Sequence, residues 1–240
     1  MRTPKQLLST LRYTPLNPQW FAHFRAKGAL RSICSELSGV VLDIGCSDSK
    51  PKQYLRSGVK YIGLDYYDTA TNWYNTQPNL FADAAQLPIK SSTIDNCLLL
   101  DVLEHLPNPA KAITEVHRVL KDNGKFFVQV PFLYPIHDAP LDFQRWTEFG
   151  LIQILEKENF KVLNIERTGH PLETASLNMC IALSKTCLNW IQNRSPFAVL
   201  TVFLPPAILL LNLFAWIFAK LDRKTTFMPY GYRISCVKIN

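Results

Sequence analysis

The chain has 240 residues, long for one compact domain and short for two. With 48% hydrophobic and 19% charged residues it can bury a full core, which excludes disorder as a global description. Its formal net charge of +7 suits an anionic partner, whether nucleic acid, a lipid headgroup surface or an acidic substrate, and does not choose among them.

In chain order, the first twenty residues hold no apolar run of the secretory kind, so the working parts are expected in the cytosol. Gln19 to Leu37 has apolar residues at helical spacing and no proline, and reads as a helix ended by Gly39. Val40 to Ile44 (VVLDI) is a short apolar run, the mark of a buried parallel strand. A helix is expected over Pro51 to Ser57, then a second strand over Tyr61 to Leu64 and a third near Leu80 to Ala82. Thr93 to Leu100 reads as the fourth strand and Pro109 to Leu120 as a helix with proline in its first turn. Asp122-Asn123-Gly124 reads as a turn before a fifth strand over Lys125 to Val130. A helix capped by Thr147 and ending near Glu158 precedes a sixth strand over Lys161 to Arg167. Tyr232 to Ile239 reads as one more strand.

Strand and helix alternate, which predicts an α/β fold: a Rossmann-like, mostly parallel seven-stranded sheet with helices on both faces. Ser195 to Ala219 interrupts it with no charged residue, as long as the ~20 apolar residues that cross a bilayer. The expected organisation is an N-terminal helical cap (1–38), a core (39–168), an apolar helical insert (169–229) and the last core strand (230–240). The six cysteines form no CxxC pair and no Cys/His cluster has zinc spacing, so they are expected as buried thiols in a reducing compartment, with no metal site.

The chemistry is concentrated in VLDIGCSDS, Val41 to Ser49. Asp43 stands near a strand end and Gly45 opens the following turn, where a missing side chain lets backbone approach a ligand. Asp65 ends the next strand, where an acid in such a unit accepts hydrogen bonds from ribose. A dinucleotide enzyme wants GxGxxG here; this chain has Gly45-Cys46-Ser47-Asp48-Ser49, and Asp48 would repel a phosphate. A nucleoside ligand without pyrophosphate fits better.

With VLDIGC, YIGLD and the stretch FADAAQLPIKSSTIDNCLLLDVLEHLPNPAKAITEVHRVLKDNGKFFVQVP, the chain resembles class I S-adenosylmethionine (SAM)-dependent methyltransferases, in particular the type-11-like group. The resemblance covers about Val40 to Arg167. It implies SAM as cofactor. It also implies that Gly45, Cys46 and Ser47 line the methionine part by backbone, with Asp43 near the amino group. Asp65 would bind ribose, Tyr66 would pack on adenine, Asp83 and Ala84 would meet the adenine edge, and Asp101 and Val102 would sit beneath the sulfonium. Ser47 and Ser49 stand where the family usually has glycine, and a Cβ narrows the turn. Each acid also has a plainer reading: a helix cap for Asp43, a turn acid for Asp65, an ordinary loop residue for Asp83. His105, beside Glu104 after the fourth strand, reads as structural before catalytic.

The loop Pro131 to Thr147 leaves a strand carboxyl end and holds His137, Asp138, Asp142 and Arg145 among aromatics. Similar histidine- and aspartate-containing loops occur in methyltransferases that resemble those of glycan and cell-surface assembly. His137 is the candidate base, oriented by Asp138 or Asp142; the alternative is a polar lid held by an Arg145–Asp142 pair. The N-terminal aromatics Tyr13, Trp20, Phe21 and Phe24 either cover the cofactor pocket or pack a helix.

Pro205-Pro206 is expected to split the apolar run into two short arms, making a re-entrant or in-plane membrane hairpin anchored by Arg194, Lys220, Arg223 and Lys224. A second amphipathic helix is expected over Leu172 to Asn193; a buried helix pair, a dimer interface and a single span compete with the hairpin. The expected function is O-methylation of a glycan or lipid-linked small molecule at the cytoplasmic face of a membrane. Alternatives are C-methylation of a lipid quinone and a catalytically silent SAM-binding scaffold. Asp101-Val102-Leu103-Glu104 stands where a base-flipping enzyme carries Asn/Asp-Pro-Pro-Tyr/Phe, so nucleic acid ranks low as a partner; oligomeric state is not readable.

Overall fold

The computed structural model describes residues 11–222 and 224–239. The expected headgroup anchor Arg223 and the first ten residues of the cap lie outside them.

The chain divides into two units. The sheet unit holds residues 29–132, 136–167 and 231–240. Its strands are β1 (Val40–Ile44), β2 (Lys60–Asp65), β3 (Leu80–Phe81), β4 (Ile94–Leu100), β5 (Leu120–Pro131), β6 (Phe160–Thr168) and β7 (Gly231–Lys238). They form one seven-stranded sheet in the order β3-β2-β1-β4-β5-β7-β6. β1 pairs in parallel with β2 and β4, β4 pairs in parallel with β5, and β7 runs antiparallel to β5. The order reverses between β1 and β4, and a ligand crevice is expected beyond the carboxyl ends of those two strands. Leu42, Ile44, Leu64, Leu99, Phe126 and Val128 belong to the main core, all at most 1% exposed.

Helix α1 (Trp20–Glu36) is shared between the units. Cys34 and Leu37 pack with Val41, Leu98 and Phe127, which is why residues from Ala29 onward group with the sheet rather than with a separate cap. Helix α2 (Pro109–Val119) starts with proline behind an Asn108 cap, and α3 (Glu148–Lys157) is capped by Thr147, whose hydroxyl accepts from the Gly150 amide.

Two local expectations are corrected. The segment expected as a helix over Pro51 to Ser57 is a single 3-10 turn, Lys50–Tyr54, without a side-chain cap. Gly58 follows too soon for an α-helix to repay its nucleation. The expected turn Asp122-Asn123-Gly124 lies inside β5 as a register shift against β4, with Asn123 at a positive φ of 60°. An irregular stretch carries the strand on instead of ending it.

Among the described residues the second unit holds 11–28, 133–135, 168–222 and 224–230. Its helices are α4 (Pro171–Gln192), begun by a His170–Glu173 capping box, and α5 (Leu204–Leu221). A 3-10 segment, Pro196–Phe203, leads into α5. The apolar run is therefore not split at Pro205-Pro206. Those prolines occupy the first turn of α5, where a missing N–H costs nothing and the fixed φ suits the helix. The reversal of direction falls instead near Asn193, before the 3-10 segment, between α4 and the apolar run. Trp20 and Phe21 pack with Ala215, so the helix-packing reading of the N-terminal aromatics holds for these two. The segment Pro196–Leu221 is long and apolar enough to cross a membrane by length and composition, and only 11% of its most apolar window is buried among the described residues, unlike a core helix.

Candidate functional site

The site grows out of one face of β1 and β2. Asp43 pairs with Gly63 in register, so Tyr61 and Asp65, two residues either way on β2, flank it on the same face. The Tyr61 hydroxyl donates to Asp43 Oδ2 at 2.6 Å. Asp43 is 3% exposed, and burial, partly countered by that hydrogen bond, pushes its carboxyl up to about 7. Asp65 accepts from the Ser47 amide at 2.8 Å and, through its other oxygen, from the Tyr66 amide at 2.8 Å. Burial still raises its carboxyl above the ordinary range.

The turn after β1 is strained and tightly tied. Gly45, Ser47 and Ser49 take positive φ values of 72°, 44° and 55°. At Gly45 a Cβ would lie 2.3 Å from Val102 Cγ2, so this glycine is required by both its dihedral and its neighbour. The contact also joins two positions expected at the cofactor, Gly45 and Val102. The amides of Gly45 and Cys46 donate to Leu64 O at 2.8 and 3.1 Å, and that of Ser47 to Asp65. With its amides taken up internally, the turn can offer a ligand carbonyl oxygens. Cys46 contributes backbone only; burial pushes its thiol up to about 11.

Ala82 N donates to Asp65 O at 3.0 Å, which sets Asp83 and Ala84 beside the end of β2. Asp83 accepts from Ala85 N in a local turn, as its plainer reading expects, and Ala84 is buried. The Tyr66 ring is 53% exposed at the strand end. Asp101 ends β4 at a positive φ of 56° and accepts from Gln129 Nε2 at 2.6 Å.

Beyond β4 a polar cluster closes the site. Glu104 is fully buried, and burial together with nearby Asp101 pushes it up to about 9. His137 Nδ1 lies 3.3 Å from Asp142 Oδ2, and the His137 amide donates to the same oxygen at 3.0 Å. Arg145 clasps Asp142 in a two-pronged pair, one contact at 2.7 Å, and holds its carboxyl down at about 2. His137, Asp142 and Arg145 thus form one arrangement, in which both expected readings can stand. Asp142 is the residue that orients His137; Asp138 makes its contacts with Tyr74 Oη, at 3.3 Å, and His105 Nε2, at 4.0 Å.

Sequence reasoning missed Tyr61 and Tyr74 and gave Glu104 no role. Tyr61 was legible: with parallel register and a period of two, the residue two before Asp43's partner shares its face. Tyr74 lies on a single wide helical turn, Thr69–Tyr74, that no pattern announces.

The donor set fits SAM. An ammonium and a ribose need acceptors, and the turn supplies carbonyl oxygens with Asp43 and Asp65; a pyrophosphate would need free amides, which the turn has used. A reversed α/β sheet with such a turn defines the Rossmann-like nucleoside-binding class. Residues 42–128 match the family model for a methyltransferase domain. It is 29% identical over 149 residues to a probable S-adenosylmethionine-dependent methyltransferase of Mycolicibacterium smegmatis, covering 58% of each chain. The chain spans about half the length of the curated relatives it matches. In fold it is similar to a SAM-dependent methyltransferase from Archaeoglobus fulgidus (TM-score 0.57, 18% identity, 89% of this chain and 93% of that one). It is equally similar to the [4+2]-cyclase SpnF (TM-score 0.57, 17% identity, 90% and 81%). One architecture thus carries more than one chemistry, and the reaction has to be argued from the site.

Proposed function

We propose that the chain is a methyltransferase that moves the methyl group of SAM to a hydroxyl oxygen of a glycan or lipid-linked intermediate, at the cytoplasmic face of a membrane. The observation that carries methyl transfer is the link from Asp65 to the Ser47 amide in a domain of this family. It ties the ribose acid to the turn that faces the methionine part. SAM supplies the activated methyl on a sulfonium. The protein's task is to align the acceptor in line with that methyl and to exclude water.

The His137–Asp142 pair favours oxygen over carbon as acceptor. Asp142 Oδ2 stands 3.3 Å from His137 Nδ1 and Arg145 Nη2 3.5 Å from it, so the pair holds the ring in place. Nε2 then takes the hydroxyl proton as the oxygen–methyl bond forms and the carbon–sulfur bond breaks. A quinone ring carbon has less need of such a base.

The membrane part rests on Pro196–Leu221. On α5, Ile208, Asn212, Ala215 and Ala219 form the buried face, and Leu210, Phe214, Ile217 and Leu221 stay exposed. Lys220 sits over the Trp216 ring at 3.2 Å, a pairing suited to a headgroup boundary. The chain leaves the sheet after β6 and returns to it in β7, so both ends of the insert belong to one side of a bilayer. This supports a hairpin or in-plane segment over a single span.

The test is incubation of the full chain with methyl-labelled SAM and host lipid and glycan extracts, with localisation of the label. Label on an ether oxygen of a lipid or glycan product supports the reading. Label on ring carbon, or no transfer, overturns it. For the membrane part, the chain is expected to float with anionic vesicles; recovery wholly in the lipid-free fraction would remove it.

A further inference from the structure

Three acceptors converge on one point beside β4. Glu104 is 0% exposed, and neither carboxylate oxygen has a hydrogen-bond partner among the described residues. A buried carboxylate left so costs several kcal/mol, roughly, unless a counter-charge accompanies it. Its Oε1 lies 3.7 Å from His105 Nε2 and 3.8 Å from His137 Nε2.

The other ring nitrogens orient both rings. His105 Nδ1 is 2.9 Å from Leu141 O, a carbonyl that can only accept, so Nδ1 carries the proton. His137 Nδ1 lies 3.3 Å from Asp142 Oδ2 and 3.5 Å from Arg145 Nη2, and these two hold its ring. Both rings turn Nε2 toward Glu104. The three ligand atoms lie within 4.8 Å of one another. A proton can bridge only two of them; a metal ion satisfies all three.

We propose that Glu104, His105 and His137 hold a divalent first-row transition-metal ion of the zinc type. Two imidazoles and one carboxylate leave positions open, the mark of a catalytic rather than a structural site. With bonds near 2.1 Å, tetrahedral ligands sit about 3.4 Å apart, so the two Glu104–histidine separations of 3.7 and 3.8 Å close with shifts of a few tenths of an ångström, and the histidine nitrogens, within 4.8 Å, close by side-chain rotation. Leu141 O and Asp142 orient the two rings from behind, as outer partners of metal-bound histidine do, and Arg145 fixes Asp142 in turn. Asp138 stands 4.0 Å from His105 Nε2, within reach of a metal-bound water. The site revises the sequence expectation of no metal, which looked only for cysteine–histidine spacing. With His137 Nε2 held by the ion, activation of the acceptor would come from the metal, which would lower the pKa of a coordinated hydroxyl. Metal uptake itself does not depend on the O-methylation reading and is measured without SAM or acceptor.

The experiment strips the full chain with chelator and titrates it with Zn²⁺ by calorimetry, with metal content counted after gel filtration. One ion per chain is expected. Glu104→Gln, His105→Ala and His137→Ala are each expected to weaken binding at least tenfold, with folding checked by circular dichroism. X-ray absorption of the zinc-loaded wild type, which needs no variant, is expected to show two imidazoles and a carboxylate oxygen near 2.0–2.1 Å, roughly the usual zinc distances. No stoichiometric uptake by the wild type would replace the ion with a shared proton and overturn the proposal. So would uptake that the folded variants retain, or an absorption shell without two imidazoles.

Discussion

Asp65 Oδ2 accepts the Ser47 amide at 2.8 Å, so the acid that closes β2 also fastens the turn that follows β1. One carboxylate thus shapes the cradle, and it is also the residue proposed to meet the ribose. Asp65→Asn tests both together. The amide keeps the size, but its single oxygen can hold only one of the Ser47 and Tyr66 amides, and the charge is lost. SAM binding is expected to weaken about 10- to 100-fold, the scale of one to two charge-assisted hydrogen bonds. Calorimetry reads it directly, and an affinity within twofold of wild type would remove the ribose role.

The serines of the turn invite the opposite substitution. Ser47 holds φ at 44°, where an L-residue carries roughly 1–2 kcal/mol of strain. Ser49, at 55°, lies beside Tyr61 and Cys46 with its hydroxyl in hydrogen-bonding range, which compensates it. Ser47→Gly relieves the strain, against an unfolded-state entropy cost of about 0.5–1 kcal/mol. A net gain of up to about 1 kcal/mol is expected, a rise in Tm of about 2–4 °C at most. Gly45→Ala has the other sign, because its Cβ would lie 2.3 Å from Val102 Cγ2. Thermal melts that rank the two variants the other way round would show that the turn is not under this strain.

Asp43 is expected to make SAM binding sensitive to pH. Burial raises its carboxyl to about 7, well above the ~3.9 of an unfolded chain. The folded state therefore holds the extra proton between those values. The contribution of Asp43 to stability is full below about pH 4 and is lost as pH rises through 7. An ammonium ligand prefers the ionised form, so affinity runs the other way and rises with pH. From pH 6 to 7.5 the expected gain is about eightfold for a group titrating near 7. Asp43→Asn should flatten both slopes. A wild-type binding curve independent of pH over that range would mean that the amino group lies elsewhere.

The order of β1, the glycine turn and the acid ending β2 was legible because each depends on residues adjacent in sequence: an apolar run, Gly45 and Asp65. The pairing of Tyr61 with Asp43 was legible in principle, from strand period and register. What escaped depends on distant partners. Glu104 reads as an ordinary acid after a strand until His137, more than thirty residues on, is folded over it. Pro205-Pro206 reads as a breaker or as a helix start with equal right, since proline is compatible with both. The choice is made by Ile208, Asn212, Ala215 and Ala219, whose common buried face needs one uninterrupted helix from Leu204.

Asn212 fixes that helix. It is fully buried in an otherwise apolar element; its Nδ2 donates to Pro15 O at 2.8 Å and Asn17 O at 3.1 Å, and its Oδ1 accepts from Ser176 Oγ at 3.0 Å. One side chain thereby joins α4, α5 and the segment before α1. Asn212→Leu is similar in volume and more apolar, so burial alone predicts a gain. Hydrogen bonding predicts the reverse, because two backbone carbonyls and a serine hydroxyl lose their partner in a buried place, at about 1–3 kcal/mol for each group left unsatisfied. The second effect is the larger, and a net loss of about 2–4 kcal/mol is expected from urea unfolding. Adding Ser176→Ala removes one orphan and should recover part of the loss. If Asn212→Leu unfolds at the wild-type midpoint, these hydrogen bonds do not hold α5, and its apolar packing suffices.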